Sequence, residues 1–335
     1  MIEDCEQVLK ATTPHELFGT NEKRSKIIYR RLARAVHPDL YPDADKKLAS
    51  EAFVKLTEYW ELYLHPAKKS SKAPREGIIA TGKHEYVLSD MFSDRGIYSR
   101  YEATYDAGHE NVQVLITKEA IDNDLTTQYA EMLKKLNDIP ETYRAFYPKF
   151  VESFRYRTAD NVDHATVVQK LPEGFVPMSK VLEVYPEGIH GRDVAWIFKR
   201  MLTALGNAHD LGLVHGAPTL DSFLIFPEQH GIILSEWQYS VESGQALKAL
   251  QGEYQKDYPE KVFNKEAVDY RLDLQLAAKA AQRLLRKDAP RQFNIFFKAC
   301  MTTKNFTAAE LLREFDILLE RLYGKPTFHP FTLNR

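Results

Sequence analysis

A proline set between two amphipathic patterns makes the first architectural decision in this chain. Residues Glu22 to Val36 read as a helix. At about 100° per residue, Lys23, Lys26, Arg30 and Arg34 fall on one stripe, with Ile28, Leu32, Ala35 and Val36 roughly opposite. Pro38 fixes its own φ and pushes His37 out of helical geometry, so the helix must stop there. A second helical pattern runs from Asp45 to Tyr63, with Leu48, Ala52, Leu56, Tyr59, Trp60 and Tyr63 at helical spacing. The two apolar faces can pair as an antiparallel hairpin, which presents Asp39 as an exposed carboxylate at the tip. Between Glu22 and Arg34 there are six Lys or Arg and one acid. Such a stripe is either a solvated face or a contact for an acidic partner, with steering and salt sensitivity to match.

Helix, His37-Pro38-Asp39 loop, helix is similar to the layout of a J-domain. The run from Lys26 to Asp39 resembles the second helix of that family through its whole second half. The resemblance implies that the loop and the basic helix stimulate ATP hydrolysis by a DnaK-type chaperone. It makes His37, Pro38, Asp39, Lys23, Lys26, Arg30 and Arg34 the chaperone-binding residues. One departure stands out. The segment Thr13 to Gly19 looks like a shortened first helix, and the resemblance is thin before Lys23, so the module is expected to lean on the rest of the protein for stability.

The chain has 335 residues, enough for two or three domains and a sizeable core. With 44% hydrophobic and 27% charged residues it reads as an ordinary globular protein. The net charge is −2, so the basic stripe is local, and bulk nucleic-acid binding is not expected. Two cysteines, Cys5 and Cys300, are too few for a disulfide framework and suit a reducing compartment. The acidic start, Met-Ile-Glu-Asp-Cys-Glu, has no apolar core of a signal peptide, and no stretch of about 18 apolar residues occurs. A cytoplasmic protein without a membrane span is the expectation. The 11 histidines lack zinc-site spacing, so neither metal nor cofactor is expected.

The stretch from His65 to Gly77 carries two prolines, small polar residues and charge, and reads as exposed linker. Beyond it, Tyr86 to Leu88, Gly96 to Tyr105 and Val112 to Thr117 read as strands, with a turn at Asp106 to Gly108. Asn123 to Asn137 reads as a helix, and Phe150 to Arg157 and Ala165 to Lys170 as a further strand pair. Helices follow at Arg192 to Leu211 and Asn264 to Arg286, with short strand-like runs at Leu213 to Phe226 and Gly231 to Trp237. A last helix opens on the capping box Thr307-Ala-Ala-Glu310, and Phe306 can staple onto Leu311.

Five strands around one helix, then a helical lobe, resembles a protein kinase. The segment Leu213-Val-His-Gly-Ala-Pro-Thr-Leu-Asp-Ser-Phe-Leu-Ile225 is similar to the kinase catalytic loop. Gly231 to Trp237 is similar to the strand leading into the DFG motif, and Arg271 to Ala277 to the start of the buried helix behind the loop. The resemblance spans roughly residues 85 to 323. It implies that His215 is a packed structural histidine, that Asp273 bonds backbone amides near His215 and Gly216, and that Glu131 occupies the position that pairs with the strand lysine.

The chemistry then fails position by position. Phosphoryl transfer needs a group to orient the nucleophile, magnesium ligands and a phosphate clamp. Ala217 stands at the catalytic Asp position, Ser222 at the magnesium-binding Asn position, and Glu236 at the DFG Asp position. The glycine-rich loop falls at Ser93 to Arg100, where Gly96 is the one glycine left and Tyr98 projects from the loop. For the strand lysine, one alignment offers Leu115 and the other Lys118.

The combined expectation is an α+β chain. A J-domain helical hairpin occupies residues 1–64, a linker 65–84, and a bilobal kinase-like domain 85–335, with its N-lobe at about 85–180 and its C-lobe at about 181–335. Its function is expected to be that of a co-chaperone, not an enzyme. Its partners would be a DnaK-type chaperone and an unidentified client protein, with no membrane or nucleic acid. The alternative is an unorthodox kinase or nucleotide-binding transferase using Lys118 and Glu236.

Overall fold

The computed structural model describes residues 2–19, 22–42, 44–64, 77–94, 96–105, 108, 110–158, 161–302, 306–325 and 327–333. The chain forms two compact units. One comprises Met1–Ala130, Val151–Gln169 and Lys248–Glu253; the other comprises Glu131–Phe150, Lys170–Leu247 and Tyr254–Arg335.

The first unit opens with four helices: α1 (Ile2–Lys10), α2 (Pro14–Phe18), α3 (Glu22–Ala35) and α4 (Lys46–Leu64). Helix α1 was not expected. Glu3 and Asp4 in its first turn and Lys10 in its last complement the helix dipole, and Cys5 and Val8 bury its inner face. Helix α2 is the shortened helix expected at Thr13 to Gly19; Gly19, at φ 66°, ends it. Helix α3 stops at Ala35, just before the Pro38 block, and a 3₁₀ turn at Pro38–Leu40 leads toward α4.

These helices share their own core of Cys5, Val8, Leu17, Phe18, Leu32, Val36, Ala52, Leu56 and Trp60, all within residues 5–60. Aromatic rings dominate its open end. Tyr29 stacks on Trp60 at 4.5 Å, Trp60 on Tyr63 at 5.6 Å, and Phe18 meets Trp60 edge-on at 5.1 Å. Ser25 bridges the helices by donating to the Phe18 carbonyl at 3.0 Å and accepting from the Tyr63 hydroxyl at 2.7 Å.

A sheet completes this unit: β1 (Gly77–Ala80), β2 (Glu85–Ser93), β3 (Tyr98–Tyr105) and β4 (Glu110–Thr117). Helix α5 (Asn123–Leu136) follows, then β5 (Lys149–Arg157) and β6 (Asp163–Lys170). The strand order is β1-β2-β3-β4-β6-β5. Inward residues alternate along the strands, so Val112, Val114 and Ile116 share a core with Tyr86, Leu88, Tyr101, Ala103 and Val168. Glu152 on the last strand accepts hydrogen bonds from Tyr86 at 2.8 Å and Thr81 at 3.0 Å, so the sheet coils until its two ends meet.

Two readings of this region are corrected. Gly77–Ala80, assigned to the linker, is a strand paired antiparallel with β2, so the body begins at residue 77 and not at 85. A four-residue edge strand carries too little pattern to be recognised without its partner. Strand β3 starts at Tyr98 and not at Gly96, because Gly96 adopts φ 64° in the hairpin turn. Residues 65–76 of the linker and most of the Asp106–Gly108 turn lie outside the described residues.

The second unit contains the remainder of α5, α6 (Glu141–Arg144), β7 (Val176–Pro177), α7 (Ser179–Val184), α8 (Gly191–Asp210), β8 (Leu213–Val214) and β9 (Phe223–Phe226). It continues with β10 (Gly231–Leu234), β11 (Val241–Glu242), α9 (Glu260–Phe263), α10 (Tyr270–Leu284), α11 (Arg291–Thr302) and α12 (Ala308–Tyr323). Helix α10 begins six residues later than the pattern from Asn264 suggests. Lys265 takes a left-handed backbone, and Asp269 caps the true start by accepting from the Arg271 amide at 3.0 Å. The capping box of Thr307 and Glu310 is formed at α12.

The aromatic end of the helical core generates a stability prediction. Phe18 is 1% exposed and touches three rings, so Phe18→Ala should cost about 3–5 kcal/mol in the helical module. Urea unfolding followed by tryptophan fluorescence at Trp60 measures it.

Candidate functional site

Two constellations carry the sequence-predicted residues. The first is the loop after α3. His37 packs edge-on against Phe53 of α4 at 5.3 Å, and its Nδ1 accepts from the Asp39 amide at 3.2 Å. Tyr41 closes the loop from beneath by donating to the Ala35 carbonyl at 2.8 Å. The histidine therefore sets the loop's shape, while the Asp39 side chain is 81% exposed and points outward. Lys26, Arg30 and Arg34 are exposed on α3, opposite Leu32 and Val36, which are fully buried. Lys23 lies in the same helix. Ile27, at 66% exposure, and Leu40, at 56%, add apolar surface to this face and loop, which charge patterning alone did not single out.

The second constellation is the loop from β8 to β9, built on the buried carboxylate of Asp273 in α10. Asp273 accepts from the amide of His215 at 2.7 Å and from that of Gly216 at 2.8 Å, and His209 Nε2 lies 3.0 Å away. His215 is fully buried, and burial pushes its pKa below the ordinary imidazole value against the opposing pull of Asp273. The neutral ring fits its partners. Nε2–H donates to the Ser235 carbonyl at 2.7 Å, and Nδ1 accepts from the Ala217 amide at 3.2 Å. Gly216 could not be another residue, because its φ is 79° and an added Cβ would sit 2.5 Å from the Tyr239 carbonyl oxygen.

Ala217 and Ser222 are both occupied with holding the loop. Ala217 is fully buried, and its carbonyl accepts from the Thr219 amide at 2.9 Å and the Ser222 hydroxyl at 2.6 Å. Ser222 also accepts from the Thr219 amide at 2.7 Å. Trp237 fills the space beside His215, with ring centroids 4.7 Å apart, and donates to the Leu234 carbonyl. Glu236 is only partly buried and accepts from the Gln238 side chain at 2.6 Å. Its backbone is left-handed at φ 65°, a conformation that costs a non-glycine residue of order 1 kcal/mol. Asp221, which the motif comparison passed over, is 8% exposed and accepts from Tyr254 at 2.7 Å.

Gly96 and Lys118 belong to the first unit. Lys118 follows the end of β4, and its ammonium reaches back to the hairpin turn, 2.6 Å from the Asp94 carbonyl and 3.4 Å from its carboxylate. Leu115, 2% exposed, lies on the same strand face as Thr117, whose hydroxyl meets that of Thr126 in α5 at 2.6 Å. The residue turned toward the helix is thus a leucine. Two further readings are corrected. Tyr98 does not project from the loop; it is the first residue of β3, fully buried, 6.2 Å from the Tyr129 ring. Glu131 is exposed, because the buried side of α5 is formed by Gln128, Tyr129, Met132 and Leu133.

Removing the carboxylate of Asp273 strands two buried amides at once. Asp273→Ala should destabilise the second unit by about 3 kcal/mol, and Asp273→Asn, which keeps one acceptor, by less. Thermal and urea denaturation of the two variants measure the difference.

No family model matches the chain, and no curated protein does. Solved structures do. The structure of vaccinia related kinase 3 is similar over 78% of this chain and 96% of that chain, with a TM-score of 0.59 and 15% identity. The BubR1 kinase domain is similar over 79% of this chain and 91% of its own, with a TM-score of 0.55 and 12% identity. The chain therefore has an α+β, bilobal protein-kinase-like fold, with four helices ahead of it.

Proposed function

We propose that this chain is a co-chaperone. The four-helix module recruits a DnaK-type chaperone and accelerates its ATPase, and the kinase-like body is a client-binding or scaffolding module. The observation that carries this reading is the His37-Pro38-Asp39 loop. It stands between a basic helix and the helix packed behind it, with Asp39 outward and His37 spent on the loop's own shape. Lys26, Arg30 and Arg34 supply exposed positive charge that suits an acidic chaperone surface. The apolar Ile27 and Leu40 give the same surface something to bury.

Four features support a body without phosphotransfer chemistry. Ala217 offers no proton acceptor and Ser222 spends its hydroxyl on the loop. Lys118 binds the turn at Asp94, and Glu131 is exposed. The Glu236 carboxylate remains partly accessible, and it is the one group on which a nucleotide-binding reading would rest.

His37→Gln should abolish stimulation of the chaperone in single-turnover ATP hydrolysis while leaving the circular dichroism spectrum intact. Arg30→Glu with Arg34→Glu should weaken binding and flatten its salt dependence. Stimulation by His37→Gln equal to wild type would remove the co-chaperone reading.

The body should transfer no label from radiolabelled ATP, since general-base assistance alone is typically worth about 10²–10⁴ in rate. It should also give no magnesium-dependent thermal shift with ATP. A shift that disappears in Glu236→Ala would establish nucleotide binding, and transferred label would establish an enzyme.

A further inference from the structure

Helix α2 meets the kinase-like sheet's helix, and a buried histidine lies at the centre of that contact. His15 is 4% exposed. Its Nε2 lies 3.0 Å from Asp122 Oδ1, in the 3₁₀ turn Ala120–Asp122, and its Nδ1 lies 3.8 Å from Asp124 Oδ1, in the first turn of α5. Thr13 donates to the other oxygen of Asp124 at 2.8 Å. Both carboxylates are largely buried, at 13% and 12% side-chain exposure.

The protonation state decides whether this arrangement holds. A neutral ring that donates from Nε2 to Asp122 turns an unprotonated Nδ1 lone pair toward Asp124 Oδ1. Both atoms are buried and neither has a hydrogen-bond partner, so acceptor would face acceptor. A proton on Nδ1 converts that repulsion into a second ion pair. The other charged and titratable groups around the ring, among the described residues, do not supply this charge. Glu16 on α2 is engaged by the Thr12 amide at 2.6 Å and by Lys248 at 3.5 Å, and Tyr63 of α4 meets His15 edge-on at 6.2 Å.

The contact is also separable from the module's own folding. The core of α1–α4 closes within residues 5–63, and the core of the sheet is a different cluster.

We infer that His15 is a protonation-sensitive latch: as imidazolium it clamps the His37-Pro38-Asp39 module onto the start of α5, and loss of its proton releases the module. The latch would regulate the docking site proposed above, yet it is read without any chaperone, so the two fail independently.

Burial alone lowers the pKa of His15. The Asp122 hydrogen bond, the charges of Asp122 and Asp124 and a backbone hydrogen bond to Ile121 together outweigh it, and the net pKa lies above the ordinary value of 6.5. The sign follows. Clamping is fully present below the ordinary value and is lost as pH rises through the raised one.

Hydrogen-exchange mass spectrometry on the full chain, from about pH 6 to about pH 9 with exchange times scaled for intrinsic rates, reads the latch at α2 and at the first turn of α5. Protection of these two segments should fall together, about tenfold per pH unit between the ordinary and the raised midpoint, and then level off. Helix α10 should stay protected. Asp124→Asn should move the fall to lower pH, because one of the charges holding the proton is gone. His15→Gln should make protection independent of pH. A flat wild-type profile, or a fall that persists in His15→Gln, overturns the latch. Should His15→Gln unfold the module, Asp124→Asn decides alone, and an unmoved midpoint there overturns it equally.

Discussion

The buried carboxylate of Asp273 is the fixed point of the second unit. A charge in a low-dielectric interior persists only where donors surround it. Here they are the amides of His215 and Gly216, beside the ring of His209. Holding those two amides dictates the turn after β8. The turn in turn requires a glycine at 216, places the His215 ring against Ser235, and leaves room beside it for Trp237. Each consequence is a hydrogen-bond or packing requirement of the one before it.

The same frame explains how this kinase-like fold can stand with an alanine at position 217. The loop is stabilised by backbone amides, by Ser222 and by Ala217's carbonyl, none of which needs a catalytic carboxylate. A buried alanine at 217 costs no desolvation, whereas an aspartate there would need its own partners. The architecture and the chemistry are separable, because packing depends on volume and satisfied polar groups while phosphoryl transfer depends on a few outward-facing charges.

In the first unit the division of labour is different. Stacked and edge-on packing of Phe18, Tyr29, Trp60 and Tyr63 stabilises the helices, and this leaves the outer face of α3 to carry cations. Two of the four helices, α1 and α2, are short, so the module gains from an outside support. Helix α2 provides it with Thr13, His15 and Glu16 directed away from the module's core.

Much of this was legible locally. Pro38 determined where α3 stops, periodicity assigned the inner faces of α3 and α4, and Thr307 with Glu310 marked the start of α12. Asp273 could be assigned to the His215 loop because the spacing of two motifs resembles a known fold. What the sequence could not determine were the pairings between distant segments. Edge strand β1 exists only because β2 is beside it. Lys118 and Leu115 were equivalent candidates until the strand's end and the position of α5 separated them. Glu131 faces outward because of how α5 rotates against the sheet, which a shift of one residue would reverse. The His15 latch had no local signal at all. Thr13 and Asp124, which flank it, are 111 positions apart, and two ordinary aspartates become a proton-binding site only when folding buries them around one imidazole.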